Sequence, residues 1–145
     1  SAIAQRANFA LETTLGAHTI PALLADATHT HDVMMIFVGL SSPEQHIDRV
    51  RLRVAHGGHP IPEEKIRERW ISSRENLIGL MPHLARLQVL DNSTDARPGE
   101  EIPAPLLVLE MSRGQLRHPD ASDAVALART PPWARAIVQA AIELY

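Results

Sequence analysis

The sequence has no cysteine among its 145 residues, which excludes disulfides and thiolate metal sites. Lysine is nearly absent as well. Of the fourteen basic residues, only Lys65 is a lysine, and it lies in Pro62-Glu63-Glu64-Lys65-Ile66 with no glycine beside it. A Walker A loop is therefore excluded from these residues, because its lysine must follow glycine for backbone N–H groups to wrap the phosphates. Aromatic side chains number five (Phe9, Phe37, Trp70, Trp133, Tyr145), too few to build a platform on which single-stranded nucleic acid stacks. No nucleic-acid partner is expected. The longest apolar run, Val33 to Leu40, is eight residues, far short of the roughly 20 that a membrane-spanning helix needs, so no membrane partner is expected either. No secretory signal pattern is visible, and with the missing cysteines this makes the cytoplasm the expected location.

What is present has the balance of a soluble globular chain, 45% hydrophobic and 21% charged, of a size for one α/β domain spanning residues 1–145. Ser1 to Arg6 reads as the last turns of a helix running into a strand, so the chain reads as starting in mid-fold. Asn8 to Glu12 reads as a short buried strand ending on a carboxylate, and Thr19 to His29 as a helix with Ile20, Leu23, Leu24 and Ala27 at helical spacing. Asp32 to Leu40 is a continuous apolar run, as expected of a central strand covered on both faces. Strand, helix, strand implies a parallel crossover.

The next helix announces its start with Ser42 as N-cap, Pro43 at the first helical position and Gln45 three residues after the cap. It should run to about His56, burying Ile47, Val50 and Val54, and stop at Gly57-Gly58. A further helix is predicted from about Pro62 to Leu80, ended by Pro82. Leu87 to Leu90 and Leu106 to Leu109 read as strands, Arg113-Gly114 as a hairpin turn, and Pro131-Pro132 as the opening of a last helix to Tyr145.

Charge placement is the strongest chemical signal. The 26 residues from Arg49 to Arg74 hold seven basic side chains against three acids, in a chain of net charge -3. Arg49 and Arg53 are four apart on one helix, and Arg67 and Arg74 are two turns apart on the next, so two arginine rows can close on one anion. Guanidinium suits phosphate because its planar fork donates two parallel hydrogen bonds and stays charged at any cellular pH. The competing reading is a solvated helical face with i,i+4 pairs such as Glu63 with Arg67. Glu12, at the end of a strand, would point into the crevice where open α/β sheets bind ligands, with Thr13 and Thr14 beside it as site residues or helix caps. The eight histidines show no metal-binding spacing with a nearby carboxylate, so no metal ligand is assigned.

Three segments together resemble the zeta-toxin-like P-loop kinases in order and spacing: Asn8-Phe9-Ala10-Leu11-Glu12-Thr13-Thr14-Leu15; Gly57-Gly58-His59-Pro60-Ile61-Pro62 leading into Ile66-Arg67-Glu68-Arg69-Trp70 and Ser73-Arg74-Glu75-Asn76-Leu77; and Asp91-Asn92-Ser93. The resemblance implies a partial P-loop kinase-like parallel sheet flanked by helices, with a lid over about 43–80. It also implies an ATP-dependent phosphotransferase that uses ATP and Mg²⁺ and acts on UDP-N-acetylglucosamine or a similar sugar nucleotide, with an antitoxin or self-association as possible partners. Glu12, Thr13 and Thr14 would hold that substrate, Arg49, Arg53, His59 and Asn92 the nucleotide, and Arg67 and Arg74 would act on the transferred phosphoryl group. The family's phosphate-binding loop, its strand and its catalytic base match nothing in this sequence, so these residues alone are not expected to transfer phosphate. In that lineage the missing strand lies between those matching Phe9–Glu12 and Met34–Gly39, leaving both with bare edges. The alternative is a non-catalytic remnant that binds a nucleotide, sugar nucleotide or protein and completes its sheet as a dimer.

Overall fold

The computed structural model describes residues 7–97 and 99–144. The expected helical tail at Ser1–Arg6 and the terminal Tyr145 lie outside them. In chain order the elements are α1 (Thr19–Ala27), β1 (Met34–Gly39), α2 (Pro43–Ala55), α3 (Glu63–Leu80), β2 (Arg86–Asp91), β3 (Leu106–Ser112), β4 (Gln115–His118), α4 (Ala124–Ala128) and α5 (Arg135–Glu143). The result is a mixed α/β fold in which one four-stranded sheet, ordered β1-β2-β3-β4, is flanked by helices.

The sheet is mixed where a parallel one was expected. β1 and β2 run parallel, in register from Met34 opposite Arg86 to Gly39 opposite Asp91, and the crossover between them is the α2–α3 pair. β2, β3 and β4 are antiparallel, and the Arg113-Gly114 turn joins the last two with both residues at positive φ. The tight hairpin permits only antiparallel pairing of β3 with β4, and the connection from β2 to β3 has no crossover helix among the described residues, as an antiparallel pair allows.

Alternation along the strands decides what each face of the sheet meets. Leu87, Val89, Leu109 and Met111 are buried and pack with Leu77 and Leu80 of α3 and with Ile137, Val138 and Ala141 of α5. The opposite face carries Arg86, Gln88 and Glu110, the last accepting from Arg86 Nη2 at 2.9 Å and Gln88 Nε2 at 3.2 Å. Here the sequence reading needs correction: β1 is an edge strand covered on one face, with Met34 71%, Ile36 66% and Val38 52% exposed. Its apolar run is long enough for a central strand, but among the described residues it pairs only with β2.

The expected strand at Asn8–Glu12 does not form. The segment is irregular and exposed, with no backbone hydrogen bond to β1 among the described residues. A strand exists only through its ladder, and no neighbour supplies one here. The segment is instead anchored further on: Asn76 Nδ2 donates to Leu15 O at 2.7 Å and Ala17 O at 3.1 Å, and Ser72 Oγ donates to Gly16 O at 2.7 Å. These bonds and the burial of its side chain hold Leu15 at φ 56, a left-handed conformation costly for leucine.

The expected helix caps do form. Ser42 Oγ accepts from Gln45 N at 3.1 Å, and Gly57, at φ 96, ends α2 as Gly58 N closes onto Arg53 O at 2.7 Å. Ile47 and Val50 are buried with Ile66 in a satellite cluster between α2 and α3, while Val54 is exposed. Pro82 turns the end of α3 into a 3₁₀ turn at Met81–His83. Pro131-Pro132 opens a 3₁₀ turn, Pro132–Ala134, before α5, and α4 is a short helix that periodicity did not single out.

Candidate functional site

α2 begins four residues after the carboxyl end of β1, and α3 packs beside it, so the start of α2 lies at the end of the sheet where α/β folds gather ligands. Between these helices, the outer edge of β1 and the Asn8–Leu15 segment lies a cleft of about 1400 Å³. Its basic wall is formed by His46, Arg49 and Arg53 of α2 and by Arg69 and Arg74 of α3. Asn92, just past β2, closes one end, its backbone N–H donating to Gly39 O at 2.9 Å. Glu12, Thr13 and Thr14 stand on the wall formed by the irregular segment, and Thr13 Oγ1 accepts from Leu15 N at 3.1 Å.

Each arginine is held differently. Arg49 donates from Nε at 3.1 Å and Nη2 at 2.8 Å to Asp95 Oδ1, on the loop after β2, and this pairing holds the Asp95 carboxyl below the usual range. Arg74 is half-buried, its guanidinium 3.7 Å from the Trp70 ring centre. Its Nε donates to Trp70 O at 3.0 Å and its Nη1 to Trp133 O at 3.1 Å, so stacking and two carbonyls fix its direction while the charge faces the cleft. Arg53 and Arg69 make no ion pair among the described residues. Arg69 lies across Gly16, where an added Cβ would stand 2.6 Å from its Cγ, so the glycine gives this side chain its path to the cleft.

His46 reports the convergence. Its imidazole is half-buried, has no hydrogen-bond partner among the described residues, and is held below its ordinary pKa by desolvation first, then by the charges of Arg53, Arg69 and Arg49. Guanidinium groups from two helices thus act on one ring. Trp70 and Trp133 complete the frame: Trp70 Nε1 donates to Leu40 O at 3.2 Å, and Trp133 Nε1 to Asp91 Oδ1 at 3.2 Å.

Of the residues singled out in the sequence, the cleft gathers Glu12, Thr13, Thr14, Arg49, Arg53, Arg74 and Asn92. Arg67 and His59 are not on it. Arg67 is drawn to Glu44, in the first turn of α2, with Nη1 2.6 Å from Oε1, and His59 lies exposed in the loop after Gly58. Sequence reasoning missed His46 and Arg69. His46 was legible, since it precedes Arg49 by three and Arg53 by seven, the spacing of one helix face. Arg69 depends on its approach over Gly16, 53 positions earlier, which no local pattern encodes. Comparison with family models, curated proteins and solved structures finds no match to this chain.

Proposed function

We propose that this cleft binds the phosphates of a nucleotide, and that the chain is part of an ATP-dependent phosphotransferase of the zeta-toxin kind acting on a sugar nucleotide. The observation that carries this reading is the convergence of Arg49, Arg53, Arg69 and Arg74 from two helices on one cleft at the carboxyl end of a parallel strand pair. An overall negative chain that concentrates four guanidinium groups there provides for an anion of several charges. Arg53 and Arg69 make the first contacts. Arg74, aligned by Trp70 and Trp133, serves as the fixed charge over a transferred phosphoryl group, where arginine acts by position and by neutralising negative charge. Glu12, with Thr13 and Thr14, faces this wall from the other side and would hold the hydroxyl-bearing partner.

In this reading Mg²⁺ would arrive with the nucleotide and offset phosphate charge, while the arginine wall would hold the phosphates. The residues of this sequence bind and orient; with no lysine following a glycine, they lack the loop that grips the β- and γ-phosphates during transfer. A second reading, in which the cleft binds a nucleotide or sugar nucleotide without reacting, rests on the same arginine wall.

Calorimetric titration of the chain with ATP, UDP-N-acetylglucosamine and pyrophosphate tests both readings. Binding should weaken as salt rises, and Arg69→Ala should lower affinity by about tenfold or more, the loss expected for one charged hydrogen-bond donor. Failure of all three ligands to bind at low salt overturns both.

A further inference from the structure

We propose that His46 takes up a proton when a phosphate-class anion enters the cleft, making it a fifth binding group whose contribution is switched by pH. This inference rests on the anion reading of the cleft and deepens it. The imidazole lines the same wall as the arginines, on the helix face that carries Arg49 and Arg53, and has no hydrogen-bond partner of its own among the described residues. The charges that bear on the ring are Arg53 and Arg49 of its own helix and Arg69 of α3. Elsewhere on the cleft Arg74 lies on α3 and Glu12 on the irregular segment, and Asp95, on the loop after β2, engages Arg49.

Partial burial first, and then three nearby cations, lower the ring's affinity for a proton, because a fourth positive charge there would be poorly solvated and repelled. A dianion placed among those guanidinium groups reverses both influences. It offsets the positive field and offers the ring an acceptor, so the imidazolium becomes the favoured form and donates to the anion oxygen. The proton comes from solvent and no covalent bond changes. Binding should therefore tighten as pH falls through the histidine range.

The test is imidazole NMR of the ¹⁵N-histidine-labelled chain, titrated over about pH 5 to 8 with and without sulfate, which stays dianionic throughout this range. The His46 midpoint should rise by about one unit on adding sulfate. His46→Gln should match the parent in sulfate affinity at about pH 8 and fall several-fold below it at about pH 6, toward the roughly tenfold limit that a one-unit rise sets at lower pH. Sulfate that binds at the arginines while the His46 midpoint stays fixed would overturn this inference and leave the anion site standing. Sulfate that perturbs no resonance of the cleft at any pH would remove the anion site as well.

Discussion

The guanidinium of Arg49 is engaged through two nitrogens by Asp95, and the same carboxylate accepts from Gln45 Nε2 at 3.4 Å. A carboxylate in that fork has the shape and charge of the phosphate oxygens the arginine is suited to receive, so Asp95 competes with any anion for Arg49. Asp95→Asn keeps the size of the side chain and removes the competition. Pyrophosphate affinity should rise several-fold, by calorimetry at low ionic strength, and the gain should shrink as salt screens the pair. The contact spans 46 positions and joins α2 to the loop after β2. Nothing in the spacing of charges indicated it, whereas the shared face of Arg49, Arg53 and His46 was open to reading from helical periodicity alone. At this scale the sequence exposes what one helix presents and conceals what a distant loop brings to it.

Among the elements, α2 sets the geometry of the basic wall, and its start depends on a few bonds. Ser42 Oγ caps the helix through Gln45 N, while the Gln45 side chain accepts from Ser41 N at 3.2 Å and Ser41 Oγ at 2.8 Å and donates to Ser93 O. Ser42→Ala should cost about 1 kcal/mol, read as a lower urea midpoint at unchanged slope. Local signals of this type made α2 legible nearly to the residue, through its capping serine, its proline at the first position and the glycine pair at its end, while Pro62 and Pro82 bracketed α3. β1 was legible as a strand but not as an edge, because a run of Met, Ile, Phe and Val states burial potential and not what lies alongside. Asn8–Glu12 has a strand's composition yet stays irregular, since pairing is decided by a neighbour and not by the segment itself.

For the molecule as a whole, the titrating groups set a two-step response to acid. His46 is held below its ordinary pKa in the folded chain, so between that ordinary value and its folded value the unfolded chain binds more protons, and stability falls as pH drops through this window. Glu44, Asp95 and Glu110 are held low by hydrogen bonds from Arg67, Arg49 and Arg86 in turn; their contribution is present above the ordinary carboxylate range and is lost as pH falls through the folded values. Thermal midpoints should thus decline below about pH 6.5, level off, and decline again below about pH 4. His46→Gln should erase the first step and spare the second, which differential scanning calorimetry resolves. The seating of both indoles has a practical consequence. Trp70 and Trp133 are the only tryptophans in the sequence, and each borders the same cleft, one stacked under Arg74 and the other beside Phe37. Intrinsic fluorescence from this chain is therefore a local optical gauge of that cavity, sensitive to whatever arrives there without an attached dye.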